Sequence, residues 1–294
     1  MKCSVFRRRL AEKNCRLGKP DKCSDGTLVR QSSHAHTSHA AAAAASVATR
    51  IAMRVAVLSD IHANLHALEA VLADIERAAP NKVWCLGDTV GYGAAPNECC
   101  ARIRARADVM LCGNHDLAVI GSLDLAEFSG EAAVAARWTR TVLEDDHQRW
   151  LASLKPAVAL PGAELYHASP RDPVWDYVLS EDVGRESLDL TTAPLVLVGH
   201  SHVALALTPA GDGVEGGLAP EGAELDLASG RWLANPGSAG QPRDGDPRAA
   251  WLEVDFTAKR ARFRRTAYDV EGAQAEIRAA GLPEALAGRL AYGL

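Results

Sequence analysis

Val55 to His62 reads VAVLSDIH: four aliphatic residues, then Ser59, then Asp60 and His62, two metal-capable side chains two positions apart. A short apolar run of this kind is the pattern of an inner parallel strand, and ligands collect where the carboxyl ends of such strands open into a crevice. Asp60 and His62 are then on that rim. The pair alone equally describes a turn aspartate beside a surface histidine, so the choice depends on what the later strand ends carry.

The chain after Met53 alternates. Asn64 suits an N-cap, and Leu65, Leu68, Leu72 and Ile75 recur at helical spacing up to Pro80. Val83 to Leu86 is a second apolar run, ending in Gly87-Asp88, and Pro96 to about Ala105 fits a helix with proline in its first turn. Val109 to Cys112 is a third run, ending in Gly113-Asn114-His115-Asp116. Gly130 to Leu154 has helical period, with Trp138, Leu143, Trp150 and Leu154 expected as core anchors. Val158 to Leu160 and Glu164 to Tyr166 form a strand pair around Pro161-Gly162, and the second ends at His167. Leu195 to Val198 ends in Gly199-His200-Ser201-His202. Strand-like runs then fill Ala204 to Ala267, and Tyr268 to Leu290 reads as two short helices broken by Pro283. The expected fold is α/β: two packed mixed β-sheets flanked by helices, a four-layer αββα sandwich.

Composition separates the first 52 residues from the rest. They hold ten Lys/Arg against three acids, about +7, which leaves 22 minus 34, or −12, for residues 53–294. Residues 1–52 have no amphipathic period and are expected to be a disordered basic extension or an upstream start-site artefact, with 53–294 as the catalytic domain. An export signal needs an apolar stretch soon after the basic start, and polar sequence intervenes here. No run reaches the roughly 18 apolar residues of a membrane helix. The acidic body argues against a groove for a nucleic-acid backbone, which needs clustered Lys/Arg. Seven scattered cysteines without a CxxC pair point to free thiols in a reducing compartment, hence the cytoplasm.

Together the strand ends offer Asp60, His62, Asp88, Asn114, His167, His200 and His202, oxygen and imidazole donors without a thiolate. Two divalent cations about 4 Å apart need three or four donors each with one shared carboxylate, and this donor mixture suits Mn, Fe, Co, Ni or Zn. Seven donors with one bridge fill two such sites. The loop carrying His200 and His202 has to twist to aim both inward.

The blocks DIH (Asp60 to His62), GDTVGYG (Gly87 to Gly93), GNHD (Gly113 to Asp116), the single His167 and GHSH (Gly199 to His202) resemble the calcineurin-like metallophosphoesterases in order and approximate spacing. The resemblance covers about residues 53–268. HASPRDPVWDY (His167 to Tyr177) and NPGSAGQPRDGDPRA (Asn235 to Ala249) look like the bacterial and archaeal branch of small phosphodiesterases. The resemblance implies that Asp60, His62 and His202 hold one metal, that Asn114, His167 and His200 hold the other, and that Asp88 bridges them.

It also implies hydrolysis of a small phosphodiester or phosphomonoester by a hydroxide held between the metals, with His115 as general acid and Asp116 or Asp60 orienting its ring. Arg171 and Arg243 are candidate substrate contacts, since an arginine fork matches phosphoryl oxygens, though each equally suits a surface ion pair. Trp175 and Tyr177 either wall a pocket or pack under their loop. Gly91, Gly93, Gly237 and Gly240 would let backbone approach the site closely. Protein Ser/Thr phosphatases and dinucleotide tetraphosphatases differ in pattern, with GDxVDRG and GNHE where this chain has GDTVGYG and GNHD. A catalytically silent scaffold of the same fold is the alternative from a different class. The oligomeric state is not legible.

Overall fold

The computed structural model describes residues 53–294; the expectations for the segment 1–52 fall outside the described residues. β1 (Arg54–Leu58) lies inside a six-stranded sheet. It runs parallel to β2 (Lys82–Cys85), which pairs with β3 (Val109–Met110). On its other side β1 is antiparallel to β11 (Ala249–Asp255), followed by β12 (Arg260–Thr266) and β9 (Glu224–Asp226).

A second six-stranded sheet is ordered β4 (Ala157–Leu160), β5 (Ala163–Tyr166), β6 (Leu195–Leu197), β10 (Trp232–Asn235), β7 (Leu205–Ala210) and β8 (Gly213–Leu218). Here β5, β6 and β10 are parallel and the outer pairings antiparallel, so both sheets are mixed.

Alternation along β1 explains why its sequence after Arg54 lacks polar positions. Val55 and Val57 enter the core between the sheets, against residues such as Leu165, Leu197 and Ala234. Ala56 and Leu58 face the other way, toward Leu68, Val71 and Ile75 of α1 (Leu65–Ala78) and Ile103 of α2 (Pro96–Arg106). Burial on both faces leaves no place for a polar side chain, and each large aliphatic residue contributes about 1.5–3 kcal/mol there. In β6, Leu195 and Leu197 point inward while Val196 joins Leu188 of α6 (Glu181–Asp189) on the outer face. The layers are therefore helix, sheet, sheet, helix, as expected.

Asn64 caps α1, its Oδ1 accepting the Ala67 N–H at 3.1 Å. The Gly130 to Leu154 stretch is helical as expected and divides into α4 (Gly130–Val142) and α5 (Asp145–Ser153). Asn97 brackets the break: its Nδ2 donates to the Val142 carbonyl at 2.8 Å and its Oδ1 accepts the Glu144 N–H at 2.9 Å. The buried face of α4 is Ala132, Ala133, Ala135 and Ala136. Of the expected anchors only Leu143 is buried; Trp138, Trp150 and Leu154 are half-buried. Small side chains let the helix sit close to its neighbours, which leaves the tryptophans at the edge.

α7 (Val270–Ala279) and α8 (Glu284–Gly288) lie either side of Pro283 and pack with α4 around Tyr92. Cys85, Cys99, Cys100 and Cys112 are free and buried. Among the described residues no helix is long and apolar enough to cross a membrane.

Candidate metal centre

The seven expected donors follow five strands. Asp60 and His62 come after β1, Asp88 after β2 and Asn114 after β3; His167 follows β5, and His200 and His202 follow β6. Five of them have left-handed backbone, with φ of 55° at Asp60, 49° at His62, 51° at Asp88, 61° at His200 and 58° at His202. Such residues cost about 1–3 kcal/mol each and persist only where the surroundings fix them. Backbone bonds between loops do so here: Asp60 N–H to Gly87 O at 3.0 Å, His62 N–H to Asp88 O at 3.0 Å, and Gly199 N–H to His167 O at 2.8 Å. The twist expected of the His200 to His202 loop is present.

The carboxylates of Asp60 and Asp88 are each held by one oxygen and present the other. Asp88 Oδ1 accepts the His115 backbone N–H at 2.9 Å, at the start of α3 (Asn114–Val119). Its Oδ2 has no hydrogen-bond partner and lies 3.6 Å from Nε2 of both His62 and His167. Asp60 Oδ2 accepts the His200 N–H at 3.1 Å, while Oδ1 is without a partner, 3.4 Å from His202 Nε2 and 3.9 Å from His62 Nε2. Asn114 Oδ1 lies 3.2 Å from His167 Nε2.

The imidazoles are oriented from behind. Nδ1 of His62 meets the Val90 carbonyl at 3.1 Å, that of His167 the Leu86 carbonyl at 3.0 Å, and that of His202 the Gln241 carbonyl at 2.7 Å. His200 is hydrogen-bonded to the Trp175 backbone, and its Nε2 is buried without a partner. A carbonyl only accepts, so Nδ1 carries the proton and Nε2 offers a lone pair inward, the arrangement that metal-binding histidines use. Burial drives all four rings below the ordinary histidine pKa, which keeps them neutral. It also raises Asp60 to about 7 and Asp88 well above the usual carboxylate range, the latter with help from Asp116.

These donors fit divalent cations. Nε2 of His62 and Nε2 of His202 face each other at 3.0 Å, two lone pairs with no proton between them. Ligand nitrogens at the usual distance of about 2.1 Å from one ion approach each other this closely. The donor atoms group as Asp60, His62 and His202 and as Asp88, His167 and His200, and a third group brings His115 together with His62 and Asp88; all are buried. Glycine is required beside them, since a Cβ on Gly113 would overlap Asp88 Oδ1 and His167 Cε1.

The remaining candidates separate. His115 is buried against His62, Tyr92 and Phe128, with ring centroids at 4.9, 4.3 and 5.2 Å. Among the described residues its Nδ1 has no hydrogen-bond partner, so no carboxylate orients its ring as expected. Asp116 instead accepts backbone N–H groups, from Val90 through Oδ1 and Gly113 through Oδ2, each at 3.1 Å. In the first turn of α3 that carboxylate reaches back to orphan amides and ties two loops together, a positioning role in place of the catalytic one expected. Asp60 is likewise engaged with the His200 amide.

Arg171 is not brought to the donors. Its Nε pairs with Glu186 at 3.1 Å and Asp176 at 3.7 Å, an exposed network. Arg243 is half-buried over the Tyr92 ring, 5.6 Å from its centroid, and its charge acts on Asp60, Asp88, His115 and His200. Tyr177, 46% exposed, stacks on His200 at 4.1 Å, and Trp175 packs on Phe128 at 5.1 Å. Phe128, Tyr92 and Gln241 were not singled out from sequence as site residues. Gln241 sits in the NPGSAGQ segment and Tyr92 in the GDTVGYG block, while Phe128 carries no local signal beyond being aromatic.

A model of the calcineurin-like phosphoesterase superfamily domain matches residues 53–257. An uncharacterized protein of Methanocaldococcus jannaschii is 37% identical over 242 residues, covering 80% of this chain and 96% of that protein. The crystal structure of a metallophosphoesterase from Sphaerobacter thermophilus is 40% identical, with a TM-score of 0.75 over 83% of this chain and 100% of that one. A hypothetical protein of Pyrococcus horikoshii shares the fold at 20% identity, with a TM-score of 0.65 over 82% of this chain and 99% of that one. The chain belongs to the calcineurin-like phosphoesterase superfamily.

Proposed function

We propose that the chain, loaded with two divalent cations such as Mn, Fe, Zn, Ni or Co, hydrolyses a phosphodiester or phosphomonoester of a small molecule. The observation that carries this reading is Asp88 Oδ2, equidistant at 3.6 Å from His62 Nε2 and His167 Nε2. Asp60, His62 and His202 would hold one cation, Asn114, His167 and His200 the other, and Asp88 both. Cations bound there supply a lowered pKa for water and charge for phosphoryl oxygens.

The protein's own groups do the rest. The backbone carbonyls behind His62, His167 and His202 fix which ring nitrogen faces inward. His115, adjacent to Asn114 and not among the assigned ligands, is the donor for the leaving oxygen. Burial, then Arg243 and His167, lower its pKa to about 3, so it is neutral in the free protein, and the negative charge of a bound phosphoester is what brings its proton affinity up. Arg243 contacts the phosphoryl group. Four free buried thiols agree with a reducing, cytoplasmic location.

The test is to strip the full chain of metal, count the ions it takes back, and compare Mn-dependent hydrolysis of bis-p-nitrophenyl phosphate and p-nitrophenyl phosphate. Two ions per chain and turnover of either ester are expected. Absence of turnover with every metal would sink the reading, and the preferred ester separates diesterase from monoesterase.

A further inference from the structure

Gln241 joins the metal centre to a pair of arginines. Its backbone carbonyl holds His202 Nδ1 at 2.7 Å, and its side-chain Oε1 accepts from Arg243 Nη2 at 2.8 Å and from Arg289 Nη1 at 3.3 Å. Two guanidinium groups therefore share one neutral oxygen beside a candidate ligand. Among the described residues that is the one hydrogen bond of the Arg289 side chain, its Nε is buried without a hydrogen-bond partner, and the charge of Glu131 acts on the guanidinium more weakly than that of Arg243. Burial, and after it the charge of Arg243, press Arg289 below the ordinary arginine pKa. Half-buried like charges held together are costly unless an anion joins them.

Arg289 opens the short 3-10 turn Arg289–Ala291 that follows α8, beyond the 53–257 segment that the family model matches. The C-terminal helices carry it to the wall of the site through their packing on Tyr92. Tyr92 in turn packs on His62 and His115, with ring centroids 4.6 and 4.3 Å away.

We infer that Arg243 and Arg289, gathered by Gln241, bind a second phosphoryl group of the substrate, next to the one held at the metal centre. Guanidinium forks match phosphoryl oxygens in number and geometry, and each such bond is charge-assisted. The substrate class is thus an organic diphosphate or an ester bearing an adjacent phosphate, rather than a diester with two uncharged arms. The word substrate rests on the phosphoesterase reading above; the anion site does not.

Binding and turnover test it separately on the full chain. Calorimetry compares inorganic pyrophosphate with inorganic phosphate, in Mn(II) and in EDTA, and inhibition of bis-p-nitrophenyl phosphate hydrolysis compares ADP with AMP. The wild-type protein should prefer the two-phosphate member of each pair. Arg289→Gln should cut that preference about tenfold, the loss of one charge-assisted contact, and Arg289→Lys should restore part of it. Gln241→Glu guards against misfolding of the first variant. It is isosteric, keeps the backbone contact to His202, and places a carboxylate between the arginines, so it should fold and lose the preference. No preference in the wild type, or the same preference in wild type, Arg289→Gln and Gln241→Glu, overturns the proposal. A pyrophosphate preference that persists without turnover of any ester supports the anion site while removing the phosphoesterase reading.

Discussion

Asp88→Asn separates metal binding from folding. In the wild type, Asp88 Oδ1 is satisfied by the His115 N–H, but Oδ2 is a buried acceptor facing two imidazole lone pairs at 3.6 Å. Without cations, and at a pH where Asp88 is ionised, that stranded buried acceptor costs about 1–3 kcal/mol. An amide keeps the Oδ1 contact and turns N–H donors toward both Nε2 atoms. The metal-free variant should therefore gain roughly 1 kcal/mol, or about 2–4 °C in Tm for a domain of this size.

The loaded protein should move the other way. At a free cation concentration about 100 times Kd, each site adds about 2.7 kcal/mol. Two sites then raise Tm by roughly 10–20 °C. Asp88 faces both donor sets, so the variant should lose most of that rise. Scanning calorimetry in EDTA and in excess Mn(II), with metal content measured by mass spectrometry, reads both effects. A variant that keeps the wild-type Mn-induced rise, or whose EDTA form melts well below EDTA-treated wild type, refutes the reasoning.

His115→Ala should keep both metals and lose about 10²–10⁴-fold in turnover of alkyl phosphoesters, with a much smaller loss on p-nitrophenyl esters; equal losses on both rule out proton delivery by this ring. Gly113→Ala should weaken metal binding about 10–100-fold, because the added methyl overlaps Asp88 and His167, and equilibrium dialysis against Mn(II) measures it. The metal-free protein should be most stable near pH 6.5. Below that, His62, His115, His167, His200 and His202 stay neutral in the folded state while the unfolded chain takes up protons, so stability rises with pH. Asp60, raised to about 7, and Asp88 oppose this from the unfolded carboxylate pKa of about 3.9 upward, because they keep protons the unfolded chain has lost; once the unfolded histidines are neutral, above about pH 6.5, that opposing slope is what remains and stability falls. Melting in EDTA from pH 5 to pH 8 tests this, and a steady rise through pH 8 contradicts it.

Residues whose role follows from the strand pattern were legible in the sequence. Val55 to Leu58 and Leu195 to Val198 are apolar on every position because both faces are buried, and the first donor follows within two residues of each run. What depends on tertiary contact was not legible. Arg171 and Arg243 both sit in a Pro-Arg-Asp turn, yet one pairs with Glu186 on α6 and the other lies over Tyr92. Asp116 follows His115 directly, which suggested that it orients the ring; in the first turn of a helix its carboxylate points back along the chain to Gly113 and Val90 instead. The break between α4 and α5 depends on Asn97, which lies 45 and 47 positions away from the groups it bonds. Arg289 gave no signal at all, because its neighbours Arg243 and Gln241 are joined to it only by folding.

The left-handed backbone shows how the donors are held. Asp60, His62, Asp88, His200 and His202 would each relax if their loops were free, since a side chain at positive φ is strained. What prevents this is the protein: Ser238 Oγ donates to the Asp60 carbonyl at 2.7 Å, Asn235 Nδ2 to the Gly199 carbonyl at 2.7 Å, and Asn64 Nδ2 to the Gly240 carbonyl at 2.8 Å. The Ser238 bond joins the loops of the two sheets, and Asn235, which ends β10 in the middle of the second sheet, holds the loop after β6 in the same sheet. The converging lone pairs are thus held by the packed sandwich. A cation entering such a site meets oriented ligands and has little chain entropy to overcome, so its binding energy goes into stabilising the folded state rather than into building the site.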